Sequence, residues 1–366
     1  MSAKNFLAIV GVFISAFVLL ISALFYWIDP LFLYRQTELY EPQYIANERY
    51  QMPGLVKTMD YQTLITGTSM GRNFEENYVN EKFGTKSFNG SLPASTAREQ
   101  SMVVQLALQN KEKVDRVFWE LNFYSFSGEP DWVTDFPEYM YDDSKLNDIR
   151  YLFNSYSLEV LVKNLQANVN DIKSKRDVET LYKFGNDAPM DDFERIVGAI
   201  DNVDKEDAVP EFDTAEKMLR SFEKNVISVV EDHPDTTFTF FFAPYPIYNQ
   251  FKYYKSNPEY LEERAKFKAE SFKLLSKYPN IQLYDFQLIK YITFNIGNFM
   301  GDGVHYYRHI NRWMVDYMEE NIPIRNVPRY EYLLQQYVAL VEEFSLDQLI
   351  EHPFLKEKYG LLNSQN

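Results

Sequence analysis

The sequence predicts an α/β protein: a three-layer α/β/α arrangement around a parallel sheet, carried on one apolar N-terminal helix. Three observations predict it. Residues from Phe6 to Trp27 carry no charge and are dense in Leu, Ile, Val, Phe and Ala. Beyond them, short apolar runs alternate with longer amphipathic stretches, which is the pattern of strands joined by crossover helices. The most apolar of the short runs, Thr236 to Ala243, is cut off by Pro244, as a buried strand ending in a loop would be.

Residues 1–28 read as a transmembrane anchor, because a helix crosses the hydrocarbon core with roughly 20 apolar residues. Lys4 and the chain amine precede the run, and Tyr26 and Trp27 close it where amphipathic rings favour the interface. The positive-inside bias places the N-terminus in the cytoplasm and the remainder outside, as a single-pass protein of the cell membrane with an extracellular domain. A cleaved signal peptide is the alternative. Against it, the run exceeds the roughly 7–15 apolar residues of such a segment, and Ser22-Ala23 is followed by more apolar residues.

Residues 29–60 read as a polar, Tyr-rich juxtamembrane connector punctuated by Pro30, Pro42 and Pro53. The α/β domain is expected over 61–327. Its strands are placed at Tyr61 to Thr66, Val114 to Leu121, Thr236 to Ala243 and Ile281 to Phe286. Its helices are placed at Pro93 to Gln109, with Pro93 in the first turn, and at Thr214 to Glu231, capped by Asp213. Two more are placed at Pro258 to Tyr278 and Tyr306 to Asn321. Residues 128–212, rich in Asp, Asn, Tyr and Lys, break the alternation and read as a mostly helical insertion over the mouth of the sheet. Residues 328–366 form a C-terminal tail, helical over Tyr330 to Phe344, then polar and expected to fray.

The formal charge of −16 argues against nucleic acid as a partner, since phosphate contacts need clustered Lys and Arg. The absence of cysteine removes thiol nucleophiles and cysteine-ligated zinc, and it is compatible with a domain outside a Gram-positive cell. Aromatic content is 17%, most of it expected in the core, with exposed rings able to stack on sugars.

In parallel sheets ligands lie beyond the carboxyl ends of the strands. Gly67-Thr68-Ser69-Met70-Gly71 follows the first expected strand, where glycines allow a tight turn with amides directed at an oxyanion. Gly301-Asp302-Gly303-Val304-His305 follows the last one and holds one of only four histidines. At this spacing Asp302 can orient the His305 imidazole, which can take a proton from the Ser69 hydroxyl. Each motif alone also fits an ordinary turn or a surface histidine; together they converge on one sheet edge. His309, four residues on, would share a helix face with His305, but no His-Glu-x-x-His pattern accompanies the pair, and neither metal nor other cofactor is expected. Arg72 suits either an anionic substrate group or a surface ion pair. Tyr245, between Pro244 and Pro246, suits either a pocket wall or a rigid turn.

The serine turn after the first strand and the Asp-x-x-His after the last resemble the SGNH/GDSL hydrolase superfamily, whose fold is a flavodoxin-like parallel sheet. The resemblance spans about Tyr61 to Asn321. It implies Ser69 as nucleophile, His305 as base and Asp302 as acid. Gly90, in Phe88-Asn89-Gly90-Ser91, matches the second-block glycine, and Asn122, in Glu120-Leu121-Asn122-Phe123, falls where the third-block asparagine belongs; both would stabilise the oxyanion. Thr68 stands where the family carries Asp, and the Gly-x-Asn-Asp form of the third block is absent. The anchored layout is similar to membrane-tethered members of Gram-positive surface-polymer loci. Among them are the D-alanyl transfer protein of the lipoteichoic acid pathway and acetyl-handling proteins of alginate and peptidoglycan modification. The runs Asn47-Glu48-Arg49-Tyr50-Gln51-Met52-Pro53-Gly54 and Ile65 to Met70 resemble those of further members. The resemblance implies a serine esterase or O-acyltransferase acting on a cell-envelope polysaccharide or teichoic acid, with a membrane-bound O-acyltransferase as partner. The same fold could also serve as a non-catalytic scaffold for that partner.

Overall fold

The computed structural model describes residues 2–36, 40–110, 114–174, 181–184, 198, 209–352, 355 and 358. Five parallel strands form one sheet: β1 (Thr63–Thr66), β2 (Ser87–Asn89), β3 (Arg116–Leu121), β4 (Thr237–Phe242) and β5 (Ile281–Asp285). Their order is β2-β1-β3-β4-β5, a doubly wound topology whose switch point lies between β1 and β3.

Side chains alternate between two cores, as the two-residue period of a strand demands. Leu64, Val117, Trp119, Leu121, Phe238, Phe240 and Phe242 enter one core, with Val103, Met218 and Phe272 from the covering helices Ala97–Asn110, Ala215–Phe222 and Pro258–Leu275. Ile65, Phe118, Phe241 and Tyr284 enter the other, against Val79 of Glu76–Phe83 and Ile310, Trp313 and Met314 of Arg308–Glu320. The sheet therefore has helices on both faces, the expected α/β architecture.

Several details differ from the sequence reading. The strand β2 has three residues, too short to show a pattern. The first long helix starts at Ala97, because Pro93-Ala94 form a turn and Thr96 Oγ1 accepts the Glu99 N–H at 3.2 Å. Thr214, not Asp213, caps the next helix; the Asp213 carboxylate instead accepts the Ser127 hydroxyl at 2.5 Å. The described part of 128–212 contains the helices Ile149–Leu152 and Ser155–Val169; much of the rest lies outside the described residues. The tail helix, Val327–Glu342, buries Tyr330, Leu334, Tyr337 and Val341. Its Tyr330 hydroxyl donates to Asp285, which also pairs with the buried Lys268 at 2.8 Å. The chain beyond Phe344, expected to fray, bridges through Ile350 to Asn295.

The described residues of 29–60, read as a connector, pack into the domain. The apolar helix, Ala3–Ile28, is long and apolar enough to cross a membrane, and its most apolar window is wholly unburied. Its last turn, however, enters the domain: Phe25 is buried and meets the Tyr151 ring edge-on at 5.4 Å. Asp29 ends the helix in a left-handed conformation. Its carboxylate accepts the N–H groups of Leu33, Tyr34 and Arg35 at 3.0, 2.7 and 3.0 Å, and the Tyr151 hydroxyl at 2.9 Å. Leu31, Phe32 and Leu33 are buried, and the helix Glu48–Thr58 adds Met52, Leu55 and Val56 to the same core. Gly54 permits this packing, since a β-carbon there would lie 1.8 Å from the Leu31 carbonyl oxygen. Polar composition concealed the burial, because its Tyr, Gln and Asp side chains are satisfied internally.

Burial raises the Asp29 carboxyl from 3.8 to about 6, against the lowering effect of its hydrogen bonds. A carboxyl with a raised folded pKa contributes stability that is full below the unfolded value and lost as pH climbs through about 6. The melting-temperature gap between wild type and Asp29→Ala is therefore expected to widen by several degrees between pH 7 and pH 4.5. A gap independent of pH would contradict this assignment.

Candidate active site

The turn after β1 carries Ser69. Beneath it lies Glu120, fully buried at the carboxyl end of β3. Glu120 Oε2 accepts the Thr68 N–H at 2.6 Å and the Thr68 hydroxyl at 2.8 Å, while Oε1 accepts the Asn122 amide at 3.0 Å. Gly67 is required by this approach: a β-carbon would meet Glu120 Cβ at 2.5 Å and Oε2 at 2.6 Å. Burial pushes the Glu120 carboxyl up, and the Asn122 and Thr68 hydrogen bonds oppose that rise.

Ser69, His305 and Asp302 form one hydrogen-bonded chain. Ser69 Oγ lies 2.8 Å from His305 Nε2, and His305 Nδ1 lies 2.6 Å from Asp302 Oδ2. The loop that positions them is held at both ends. Asp302 Oδ1 accepts the N–H groups of Val304 and His305, each at 2.9 Å. The Tyr306 hydroxyl donates to the Met70 carbonyl, tying the histidine loop to the serine turn. Burial alone would raise the Asp302 carboxyl; the hydrogen bonds from the His305 ring and from the Val304 and His305 amides outweigh it and hold it at about 2. This arrangement can pass the serine proton to the imidazole and stabilise the imidazolium that results.

A cavity of about 190 Å³ opens over Ser69, bordered by Ala94, Asn122, Tyr124, Tyr245 and His305. Tyr245 is a cavity wall. Its buried hydroxyl accepts the Asn122 amide at 2.7 Å, and burial, with the Glu120 charge, pushes its pKa up. Asn122 thus reaches the cavity with its N–H groups directed at Glu120 and Tyr245. Gly90 is not brought to the cavity. Its N–H donates to the Ile65 carbonyl at 2.8 Å, and it packs against Leu64 and Val103. Among the residues that border the cavity, Ser69 and Ala94 have backbone amides with no hydrogen-bond partner among the described residues. Ala94 has a φ of 47°, a conformation its β-carbon disfavours and one that strained functional turns often hold.

Arg72 is likewise absent from the cavity lining. It pairs with Glu48 at 2.6 Å, both side chains largely buried, and its guanidinium faces the Phe184 ring. His309 does not share a helix face with His305, because the helix begins only at Arg308. Its ring is buried against Tyr307 and near Asn298. Phe184, from the region expected as an insertion, meets the His305 ring edge-on at 5.1 Å. Sequence reasoning missed Glu120, Ala94 and Phe184. Only Glu120 left a signal, a charged residue at the end of the otherwise apolar Val117 to Leu121 run.

No protein-family model matches the sequence, and no curated protein matches it.

Two substitutions probe the turn. Gly67→Ala is expected to displace Glu120 and abolish the reactivity of Ser69 towards a fluorophosphonate. Glu120→Gln places an amide donor against either the Thr68 N–H or the Asn122 amide. It should slow that labelling roughly 10- to 100-fold, about 1.4–2.7 kcal/mol of activation free energy, with the fold retained by circular dichroism. Unchanged labelling in both would show that Glu120 does not position the serine.

Proposed function

We propose that this protein is a membrane-anchored serine acyl-transfer enzyme of the SGNH type that modifies a cell-envelope polysaccharide or teichoic acid. The observation that carries the reading is the Ser69–His305–Asp302 chain, with contacts of 2.8 and 2.6 Å, at the carboxyl end of a parallel sheet.

Ser69 Oγ attacks an ester carbonyl carbon while its proton passes to His305 Nε2. The oxyanion forms beside the Ser69 and Ala94 amides. Collapse breaks the ester C–O bond, and the departing oxygen takes the proton from His305, leaving acyl-Ser69. A second hydroxyl, from water or from a sugar or polyol, then gives its proton to His305 and attacks the acyl carbon, which regenerates Ser69. With water this is an esterase; with a polymer hydroxyl it is an O-acyltransferase.

A polymer acceptor is supported by a cleft of about 700 Å³ beside the cavity. Tyr124 borders both spaces, and the cleft presents the rings of Trp132, Phe212 and Tyr253 alongside Lys252 and Arg264. Exposed rings beside cations suit the faces and anionic groups of such a polymer. The apolar helix supports a site held at a membrane; the domain outside the cell and a membrane-bound O-acyltransferase as acyl donor are part of the proposal. A second reading, a non-catalytic partner of such an enzyme, draws on the engagement of the Gly90 and Asn122 amides elsewhere.

The full chain in detergent should hydrolyse p-nitrophenyl acetate, and Ser69→Ala and His305→Ala should each lower kcat/KM at least about a thousand-fold. Equal inertness of all three folded proteins, with no fluorophosphonate adduct on Ser69, would sink the hydrolase reading in favour of the partner. A pH profile adds a separate check. Asp302, held at about 2, remains ionised across the working range, so its carboxyl should contribute no limb to the profile. Asp302→Asn should lower the rate on the plateau, and an acid limb that disappears in Asp302→Asn would count against the assignment.

A further inference from the structure

Outside the N-terminal helix, large exposed apolar side chains concentrate in one segment. Leu146 and Ile149 precede the Ser155–Val169 helix, and Leu158, Val162, Leu165 and Val169 lie along it. Spacings of four, three and four residues put these last four on one stripe. A different stripe of the same helix, Ser157, Val160, Leu161 and Asn164, is the one buried in the domain. The helix thus has two stripes that carry apolar side chains, of which the described residues cover one. Leu146 is 92% exposed and Val169 83%, too much for partial core positions. Contiguous apolar surface of this kind marks an interaction site.

The position of this helix points to what covers the second stripe. At its N-terminal side, Tyr151 packs on Phe25 and bonds to Asp29, where the apolar Ala3–Ile28 helix meets the domain. At its C-terminal side, Asn168 Oδ1 accepts the Glu41 N–H at 2.8 Å, next to Tyr40, whose hydroxyl bonds to the Ile28 carbonyl. Both ends are therefore tied to the last turn of the apolar helix, so the 15-residue helix runs past that exit rather than away from it. The stripe itself is aliphatic, without the Trp, Tyr and Arg anchors that dominate protein interfaces. An aliphatic stripe beside the exit of a membrane-crossing helix suits a lipid surface.

We infer that the Ser155–Val169 helix lies in the interface of the membrane crossed by the Ala3–Ile28 helix, with Leu158, Val162, Leu165 and Val169 among the upper acyl chains. This rests on the membrane-anchored reading and is independent of the acyl-transfer chemistry. It gives the domain a second point of contact with lipid and fixes its tilt as well as its attachment.

The chain has no cysteine, so single-cysteine variants can be labelled at one site. Leu165→Cys probes the stripe, Ile14→Cys the middle of the apolar helix, and Ile322→Cys an exposed apolar position outside the segment. Each full-length variant, carrying an environment-sensitive NBD dye, is reconstituted in vesicles of phosphatidylcholine and phosphatidylglycerol with or without nitroxide-labelled acyl chains. The dye at 165 is expected to emit at shorter wavelength than at 322 and to lose most of its emission to the nitroxide, as at 14. If 165 behaves like 322 while 14 is quenched, the stripe faces water or a protein: the inference fails and the anchor stands. If 14 is also unquenched, the anchor reading fails and the inference falls with it.

Discussion

A carboxylate buried under the serine turn sets the geometry of the candidate site. Glu120 forms no ion pair among the described residues; its burial is opposed, though not outweighed, by the Thr68 amide, the Thr68 hydroxyl and the Asn122 amide. Hydrogen bonds to a charged group contribute roughly 1.5–3 kcal/mol each, and together they oppose several kcal/mol of desolvation. β3 is the central strand, paired to β1 as far as Trp119 and to β4 through Leu121, so the Glu120 backbone is held in the sheet. The turn is therefore referenced to the sheet. Everything downstream inherits that reference: Ser69 from Thr68, and the His305 loop through the bond between Tyr306 and the Met70 carbonyl.

The two carboxylates of the candidate site are controlled in opposite ways. Glu120 is an acid driven up by burial, while Asp302 is an acid held down by an imidazole and two amides. Exposure separates them, since the Asp302 side chain is 40% exposed whereas Glu120 is fully buried. The exposed carboxylate can compensate a charge that comes and goes on His305, while the buried one serves position alone.

The α/β class was legible because β1, β3, β4 and β5 are apolar runs separated by amphipathic helices. The serine and the Asp-x-x-His were legible because they stand where strands end. What stayed hidden were relations between distant residues. Glu48 lies in a stretch whose composition reads as a linker, so its pairing with Arg72 left no trace. Gly90 occupies the expected block but spends its amide on the β1 ladder, a matter of register that residue identity does not encode. Ala94 takes a left-handed conformation with no glycine to advertise it. Phe184 reaches His305 from more than a hundred residues away.

The seamless passage from the Ala3–Ile28 helix through Asp29 into the buried Leu31-Phe32-Leu33 has a consequence for encounter. A flexible tether lets a domain sample a hemisphere, with an effective concentration set by linker length. Here there is no slack to sample. With the helix in a bilayer, the cavity is a tool clamped at one height, and the chain itself moves only sideways. On the proposed acyl-transfer reading, substrate selection would then become partly a matter of altitude: an acyl group would be met when its polymer presents it at that level, whatever its chemical quality elsewhere along the strand.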